Sequence, residues 1–310
     1  MELFKWIRAA EAEYDLANSG VAPIETEEVE PPPLEQLVAA IYGVEADEVA
    51  LTSGAQEGVY LAYLALRPRK VATVYPEYEP IWRLPEVLGV EHKEYPTPWD
   101  VEFTPGTVLI FSNPNNPTGG FLTPRELWDL SDEARRRGSY LVVDIIFSDF
   151  VAQDLKNFPL ENVVYAHSTD KFYTSRLRVG WALAERAVAE RIRLLKDLIN
   201  PGPRPAERGA GAALLAKREE IRRRNYEIID KNASLLLRLF PRAVYNPHMP
   251  IALVPTQCDD YELATKLLKA GVKTVPGRYF KAPRSIRIGL GVEPYERFEK
   301  AAQTAAKLWC

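Results

Sequence analysis

Residues 107–119 read TVLIFSNPNNPTG, an apolar run that passes directly into a polar turn with two prolines. Thr107–Phe111 lacks strict apolar/polar alternation, which is typical of a strand buried on both faces of a sheet. The turn after it lies at the strand's carboxyl end, where open α/β sheets bind ligands because a crevice opens there. The prolines restrict the backbone of this turn, so Asn116 can hold a hydrogen-bond donor in place. We therefore expect an α/β sheet with a ligand site at this edge.

Other short apolar runs of the same kind alternate with helical patterns on both sides of this stretch, which favours a parallel α/β sheet. The clearest helix begins at Thr123, where Thr123 and Glu126 form a capping-box pattern, and it ends at Gly138. The further strands are predicted at Glu48–Leu51, Val71–Tyr75, Tyr140–Val143, Asn162–Ala166 and Val179–Ala184.

The remainder of the chain predicts a second, smaller unit. Pro201–Pro205 breaks the chain, and one long charged helix is expected from Ala206 to about Phe240, followed by short strands and helices up to Leu308. Residues 1–33, with an acidic stretch at 25–30 and three prolines at 31–33, form a lead-in that predicts little regular structure. We expect a large domain at residues 34–230 and a small domain made of residues 1–33 with 231–310.

Charge and hydropathy exclude several classes of partner. The 310 residues carry 43 acidic and 39 basic side chains, mixed along the chain, for a formal net charge of −4. No basic field is present to attract nucleic acid or an anionic membrane, so small molecules are the expected partners. No apolar run approaches the roughly 18 residues of a membrane span, and a cytoplasmic protein is expected. Twenty-five prolines and two methionines are typical of a thermophile protein.

The two cysteines, Cys258 and Cys310, stand far apart in a long chain. Their number and spacing match neither a disulfide framework nor a metal-ligand motif, so we expect structural or incidental roles and no metal site.

Residues 51–57 predict an anion site. A short strand runs into Gly54 and Ala55 and then into the helical stretch Gly58–Leu66. Free backbone N–H groups at such a helix start bind anions, and the small residues let a phosphate approach closely. An ordinary capped helix is the alternative interpretation of this segment alone.

Two charged residues follow later strands at the same edge. Asp144 comes after Tyr140–Val143, where a carboxylate can pair with a protonated ring nitrogen, although a helix-capping or surface aspartate has the same pattern. Lys171 follows the strand that ends at Ala166; a lysine at a cleft edge becomes a nucleophile when its pKa is lowered, whereas most lysines are solvated. His167 is interpreted as a structural histidine.

Taken together, in this order and spacing, these segments resemble the fold type I pyridoxal-phosphate (PLP) enzymes, specifically the class I/II aminotransferases. The resemblance extends from Leu16 to Ile288 and implies a mostly parallel central sheet with helices on both faces, plus a smaller α+β domain. The pieces that carry it are Asn113–Gly119, the Asp144 strand, Lys171, Arg178–Gly180 and Arg287 in Ser285–Ile288.

The resemblance implies a role for each matching residue. Lys171 would be the Schiff-base lysine and proton shuttle, Asp144 would pair with the pyridine nitrogen, and Tyr78 would stack on the ring. Asn116 would donate to the cofactor's phenolate oxygen, and Arg287 would bind the substrate α-carboxylate as a two-pronged pair. The remaining expected contacts are Ser53, Gly54, Ala55, Gln56, Ser168 and Arg178 to the cofactor, and Gly20, next to Asn18 and Ser19, to the substrate.

Four features depart from the family pattern. Phe147 stands where many members have a tyrosine that bonds the phenolate oxygen, and Asp170 stands where a serine or threonine is usual. A carboxylate at Asp170 would repel the phosphate unless it points away. The stretch from Lys171 to Arg178 is one residue shorter than expected, and the N-terminal region lacks the segment that supplies a tyrosine across the dimer interface.

The leading functional hypothesis is an aminotransferase that acts on an amino acid and a 2-oxo acid, in a homodimer as the family implies. Another PLP reaction on the same fold is the alternative, such as amino-acid-phosphate decarboxylation or C–S lyase chemistry. A non-catalytic protein of the same fold is the third. Arg204, Arg208 and Tyr42 are further candidates for the pocket, which spacing does not rank.

Overall fold

The computed structural model describes residues 6, 12–17, 19–22, 33–151, 155–200 and 202–310. Asn18 and most of the acidic lead-in therefore lie outside the described residues.

Twelve strands are formed by the described residues. In chain order they are β1 (Tyr14–Asp15), β2 (Val49–Thr52), β3 (Lys70–Val74), β4 (Glu91–Tyr95), β5 (Thr107–Ser112), β6 (Tyr140–Asp144), β7 (Val163–Ser168), β8 (Gly180–Leu183), β9 (Ile251–Pro255), β10 (Val272–Lys273), β11 (Val275–Pro276) and β12 (Ser285–Gly289).

Nine α-helices of the described part lie between or after these strands. They are α1 (Leu34–Tyr42), α2 (Ala55–Leu66), α3 (Glu79–Leu88), α4 (Pro124–Arg136), α5 (Arg186–Ile199), α6 (Pro205–Ala216), α7 (Arg218–Leu239), α8 (Asp260–Lys269) and α9 (Tyr295–Leu308).

The central sheet has seven strands in the order β2-β8-β7-β6-β5-β3-β4. All neighbouring pairs are parallel except those that involve β8, which runs antiparallel to both β2 and β7. All six residues of β5 and of β7 are buried, as the continuous apolar runs predict for strands covered on both faces. The expected α/β fold with a mostly parallel sheet is confirmed.

All six strands predicted from residue 48 to 184 are present, within one or two residues of their expected ends. The edge strand β4 was missed. Its sequence, EHKEY, is charged and its burial alternates with only Tyr95 fully buried, so it has no apolar run to detect.

Helix α4 begins as predicted, since Thr123 Oγ1 accepts a hydrogen bond from the Glu126 N–H and Glu126 bonds back to Thr123. The prediction of a single long helix from Ala206 was wrong. Lys217 has φ −94° and ψ 13°, outside helical geometry, and it separates α6 from α7. The sequence at this break contains helix-forming residues and no Gly or Pro.

A three-stranded antiparallel sheet, in the order β11-β12-β9, lies in the C-terminal part of the chain. The short strand β1 near the N-terminus pairs with β10, joining Tyr14 to Val272. Cys258 and Cys310 form a disulfide across 52 residues, a pairing that the sequence did not predict. Within the described part of the chain, no helix combines the length and apolar character that crossing a bilayer requires.

The close approach of β8 to the loop after β2 requires a glycine at position 180. A Cβ atom there would lie 2.7 Å from Gly54 Cα and 2.7 Å from the His167 carbonyl oxygen, both backbone atoms. Gly180 therefore fixes how closely the Gly54 loop packs against the sheet.

We predict that Gly180→Ala lowers the free energy of unfolding by about 1–3 kcal/mol, because the added methyl group overpacks backbone. Gly120→Ala is the matched control, since its Cβ would meet only Thr118 Oγ1, at 3.4 Å. Urea unfolding of both variants measures the difference. Equal stability of Gly180→Ala and the unmutated protein would contradict this packing.

Candidate active site

A cavity of about 400 Å³ opens at the carboxyl ends of the central strands. Nine of the twelve site residues predicted from the sequence line it: Ala55, Gln56, Tyr78, Asn116, Asp144, Ser168, Lys171, Arg178 and Arg287. Ser53, Gly54 and Gly20 do not line it, although their chain neighbours Ala55 and Ser19 do.

Strand register brings the polar turns together. Ser112 at the end of β5 pairs with Asp144 at the end of β6, and Asp144 pairs with Ala166 on β7. The three strands are parallel, so the segments that follow them begin at one edge of the sheet. The turn with Asn116, the acid Asp144 and the segment leading to Lys171 therefore face one cavity.

Lys171 has a left-handed backbone, with φ 70°, which is unusual for a residue other than glycine. Its carbonyl oxygen accepts a hydrogen bond of 3.2 Å from the Val21 N–H. The N-terminal segment next to Gly20 is thus tied to the lysine's backbone. The Lys171 side chain is 29% exposed and lines the cavity, so its amine is accessible to a ligand there.

Asp144 is buried, and its Oδ1 atom accepts a hydrogen bond of 3.0 Å from the Ile146 N–H. Burial raises the pKa of Asp144 to about 7, while the Ile146 N–H and the nearby Lys171 charge oppose the rise. A cation that reaches this carboxylate would stabilise its charged form. The carboxylate is therefore suited to pair with a protonated ring nitrogen.

The opposite end of the cavity is suited to an anion. Helix α2 begins after Gly54, whose φ is 114°, and a Cβ atom at Gly54 would lie 3.1 Å from a terminal nitrogen of Arg178. Ser168 at the end of β7 also lines this region. Free N–H groups at a helix start, a guanidinium and a hydroxyl together are the groups that bind phosphate.

Asp170 does not point away from this anion site. Its Oδ2 atom lies 3.3 Å from Lys171 Nζ and 3.8 Å from a terminal nitrogen of Arg178, and its side chain lines the cavity. The carboxylate therefore offsets part of the positive charge that an incoming phosphate would meet.

Arg287 extends from β12 into the cavity and is buried. Its two terminal nitrogens donate to Asn116 Oδ1 at 3.1 Å and to the Ala17 carbonyl oxygen at 2.7 Å. Among the described residues no carboxylate forms an ion pair with it, and burial lowers its pKa to about 10. A substrate carboxylate that pairs with Arg287 would offset this cost of burying the charge.

Sequence reasoning missed two buried ionisable residues beside the site. Lys196 on α5 donates to Ser53 Oγ at 3.1 Å and to Glu57 at 3.0 Å, behind the Gly54 loop. Glu77, directly before Tyr78, is also buried. A lysine in an amphipathic helix and a glutamate in a turn carry no sequence signal that separates them from surface residues.

Some secondary expectations were wrong. Tyr42 is buried in the core, with its ring 6.4 Å from that of Trp181, and Arg208 pairs with Glu35 at 2.6 Å, so neither lines the cavity. Arg204 lines a separate, adjoining hollow with Ser53 and Arg178.

His167 is buried and stacked on Trp181, with the ring centroids 5.0 Å apart. Burial lowers its pKa to about 4, so the ring is neutral near pH 7. A structural role agrees with this environment.

Comparison with known proteins identifies the family. The sequence pattern described as "Aminotransferase class I and II" matches residues 4–303. The chain belongs to the class I and II aminotransferase family. One relative, an aspartate aminotransferase of Thermococcus kodakarensis, is 31% identical over 85% of this chain and 75% of its own length. Another, histidinol-phosphate aminotransferase 1 of Hydrogenovibrio crunogenus, is 28% identical, and the aligned part covers 58% of this chain and 54% of that relative.

Solved structures show the same aminotransferase fold, fold type I. A PLP-dependent aminotransferase from Streptococcus suis superposes with a TM-score of 0.86 at 21% identity, covering 99% of this chain and 96% of that one. A mutant of Thermus thermophilus aspartate aminotransferase gives 0.83 at 20% identity, with 98% of each chain covered. The fold expected from the sequence is thus confirmed for this aminotransferase chain.

We predict that Asp170→Asn tightens binding of inorganic phosphate and of PLP about tenfold, because a negative charge next to the anion site is removed. Glu219→Gln, which neutralises an exposed acid paired with Arg222, is the control and should not alter binding. Isothermal titration at one pH and salt concentration measures both. Equal or weaker phosphate binding by Asp170→Asn would show that Asp170 does not oppose the anion.

Proposed function

We propose that this chain is a PLP-dependent aminotransferase that transfers an amino group between an amino acid and a 2-oxo acid, with Lys171 as the residue that binds the cofactor covalently. The observation that carries the proposal is that the Lys171 amine, the buried Asp144 carboxylate and an anion-binding loop meet in one cavity. Membership of the aminotransferase family supports the same reaction.

The residues present fit the cofactor. Its phosphate would be held by the start of α2, with Gly54, Ala55 and Gln56, together with Ser168 and Arg178. Ser53 supports this loop through Lys196 and Glu57 rather than by facing the cavity. When bound, PLP supplies an aldehyde and an electron-accepting ring, which the side chains of proteins lack.

Each remaining side chain has a defined task. Asp144 would keep the ring nitrogen protonated, Tyr78 would cover the ring, and Asn116 would donate to the phenolate oxygen. Phe147 lines the cavity with an apolar ring and provides no such donor. The Lys171 amine would accept the proton from the substrate α-carbon and donate it to the cofactor.

The substrate carboxylate is bound by Arg287. The guanidinium is buried, and its contact with Asn116 orients it toward the cavity. Ala17 and Ser19 line the same cavity as Arg287, and Ser19 directly precedes Gly20. The N-terminal segment therefore lies over the substrate position.

We predict that Lys171→Ala abolishes the long-wavelength absorbance of the bound cofactor and lowers amino transfer by at least about 10²- to 10⁴-fold, because both the covalent link and the proton shuttle are removed. Lys231→Ala, at an exposed lysine paired with Glu227, is the control with unchanged behaviour. An absorbance scan and a panel of amino donors provide the measurements.

The products distinguish the alternatives. Release of the donor's oxo acid with formation of the pyridoxamine form of the cofactor supports amino transfer. Carbon dioxide release would instead assign an amino-acid-phosphate decarboxylase, and pyruvate release a C–S lyase. Unmutated protein that acquires no absorbance after PLP is added would favour a non-catalytic role.

We also propose that the chain acts as a homodimer through the outer face of α5. Leu194, Leu198 and Ile199 are 62%, 76% and 57% exposed on this helix, an apolar patch that monomers rarely leave open. Arg178, 61% exposed, lines one hollow with Asn200, which directly follows Ile199 at the end of α5, so this patch lies near the cavity.

We predict that Leu198→Asp shifts the protein from dimer to monomer, because it places a charge in this apolar contact. Val87→Asp is the control: Val87 is 73% exposed on α3, next to the opposite edge strand. Light scattering after size exclusion gives the masses. A dimer that persists in Leu198→Asp, or an unmutated monomer, would reject this interface.

The division into domains at residues 34–230, and 1–33 with 231–310, also remains our proposal. It is supported by the two sheets, one within residues 49–183 and one within 251–289, and by the pairing of β1 with β10. The boundary falls inside helix α7, which would connect the two units.

A further inference from the structure

Glu77 is a buried acid in the turn between β3 and α3, and the chemistry above does not use it. Its side chain is fully buried, and it directly precedes Tyr78, which lines the cavity. The carboxylate accepts three close hydrogen bonds: 2.8 Å from the Ser112 N–H, 2.5 Å from Ser112 Oγ and 2.7 Å from the Tyr78 N–H. One side chain thus joins two segments that lie 35 residues apart.

The connection continues to Asn116. Ser112 Oγ, which donates to Glu77, accepts a hydrogen bond of 3.0 Å from the Asn116 N–H. Asn115 adds a second link, because its amide donates to the Pro76 carbonyl oxygen at 3.0 Å. These hydrogen bonds therefore hold together the turn that carries Tyr78 and the turn that carries Asn116.

Asn116 in turn contacts the substrate-binding arginine, since its Oδ1 atom accepts a hydrogen bond from Arg287. A chain of contacts therefore runs from Glu77 through Ser112 and Asn116 to Arg287. Hydrogen-bonded residues of this kind hold reacting groups within the tolerance that catalysis needs.

We propose that Glu77 is a positioning residue that fixes Tyr78 and Asn116, and through Asn116 also Arg287, around the cofactor and substrate. The proposal rests on the aminotransferase function proposed above. Glu77 itself touches neither ligand position, because the Ser112 turn and Tyr78 stand between it and the cavity.

The charges around Glu77 fit this role. Burial raises the pKa of Glu77 to about 8, and the three donors from Ser112 and Tyr78 oppose that rise, while the Asp144 charge adds to it. The acid is therefore costly to bury. An apolar side chain at this position could not hydrogen-bond to both segments, which explains why an acid is retained despite this cost.

The geometry identifies Glu77→Gln as an informative substitution. One carboxylate oxygen faces the Tyr78 N–H and the other faces the Ser112 N–H. Glutamine has one acceptor oxygen, so in either orientation of Glu77→Gln its NH₂ group meets an N–H donor. The variant keeps the volume of the side chain and loses one of the two links.

The test compares holoenzymes of Glu77→Gln, Glu77→Ala and the unmutated protein. Asp260→Asn is the matched control, because Asp260 is also buried and accepts three hydrogen bonds, from Arg278 in a region outside the cavity. We expect Glu77→Gln to raise KM for the amino donor about tenfold to a hundredfold. We also expect it to shift the absorbance and titration midpoint of the bound cofactor, whereas Asp260→Asn changes stability alone.

A second readout needs no turnover. Hydrogen exchange of the cofactor-free protein should be faster in Glu77→Gln in the peptides that cover residues 76–78 and 112–117, and unchanged there in Asp260→Asn. Ser112→Ala removes only the hydroxyl link, so it should loosen residues 112–117 and leave Tyr78 protected.

Unchanged exchange, KM and cofactor spectrum in Glu77→Gln would overturn the positioning role. Loss of stability alone, with site properties like those of Asp260→Asn, would overturn it as well. Failure of the unmutated protein to bind PLP or transfer amino groups would instead refute the proposed function, and the exchange experiment would still decide whether Glu77 joins the two turns.

Discussion

The register of three parallel strands is the constraint on which the site depends. Ser112, Asp144 and Ala166 stand in one row across β5, β6 and β7. A shift of one residue in any of these strands would turn its side chains to the opposite face of the sheet. The acid, the Asn-Pro turn and the lysine segment meet because this row is fixed, and the close packing of the buried side chains on both faces of β5 and β7 resists a shift.

The cavity contains an unusual balance of charge. Arg287 is buried without an ion pair among the described residues, whereas Asp144 is a buried acid whose pKa is raised. At the anion-binding end, Asp170 takes up part of the charge of Lys171 and Arg178. A zwitterionic substrate and an anionic cofactor with a protonated ring would supply the missing partners. The site is therefore built for ligands that carry both signs of charge.

The sequence predicted those strands and helices that are marked by a pattern within their own residues. Continuous apolar runs predicted strands such as β5, and the capping box at Thr123 predicted the start of α4. The polar turns could be assigned to one edge because parallel strands end together. Nine of the twelve expected site residues line the cavity as a result.

The features that the sequence did not predict depend on contacts between distant segments. The charged strand β4 forms only because it pairs with β3, and the disulfide joins cysteines 52 residues apart. Glu77 and Lys196 are buried by partners on other elements, so nothing in their own neighbourhood distinguishes them. Asp170 could be located in the sequence, but its direction relative to Lys171 depends on the fold.

The most direct test of the central claim is to add PLP to the unmutated protein, reduce the adduct with borohydride and locate the label by peptide mass spectrometry. The account predicts one pyridoxyl phosphate group per chain, on the peptide that contains Lys171. Labelling of another lysine, or no specific labelling at saturating PLP, would contradict it.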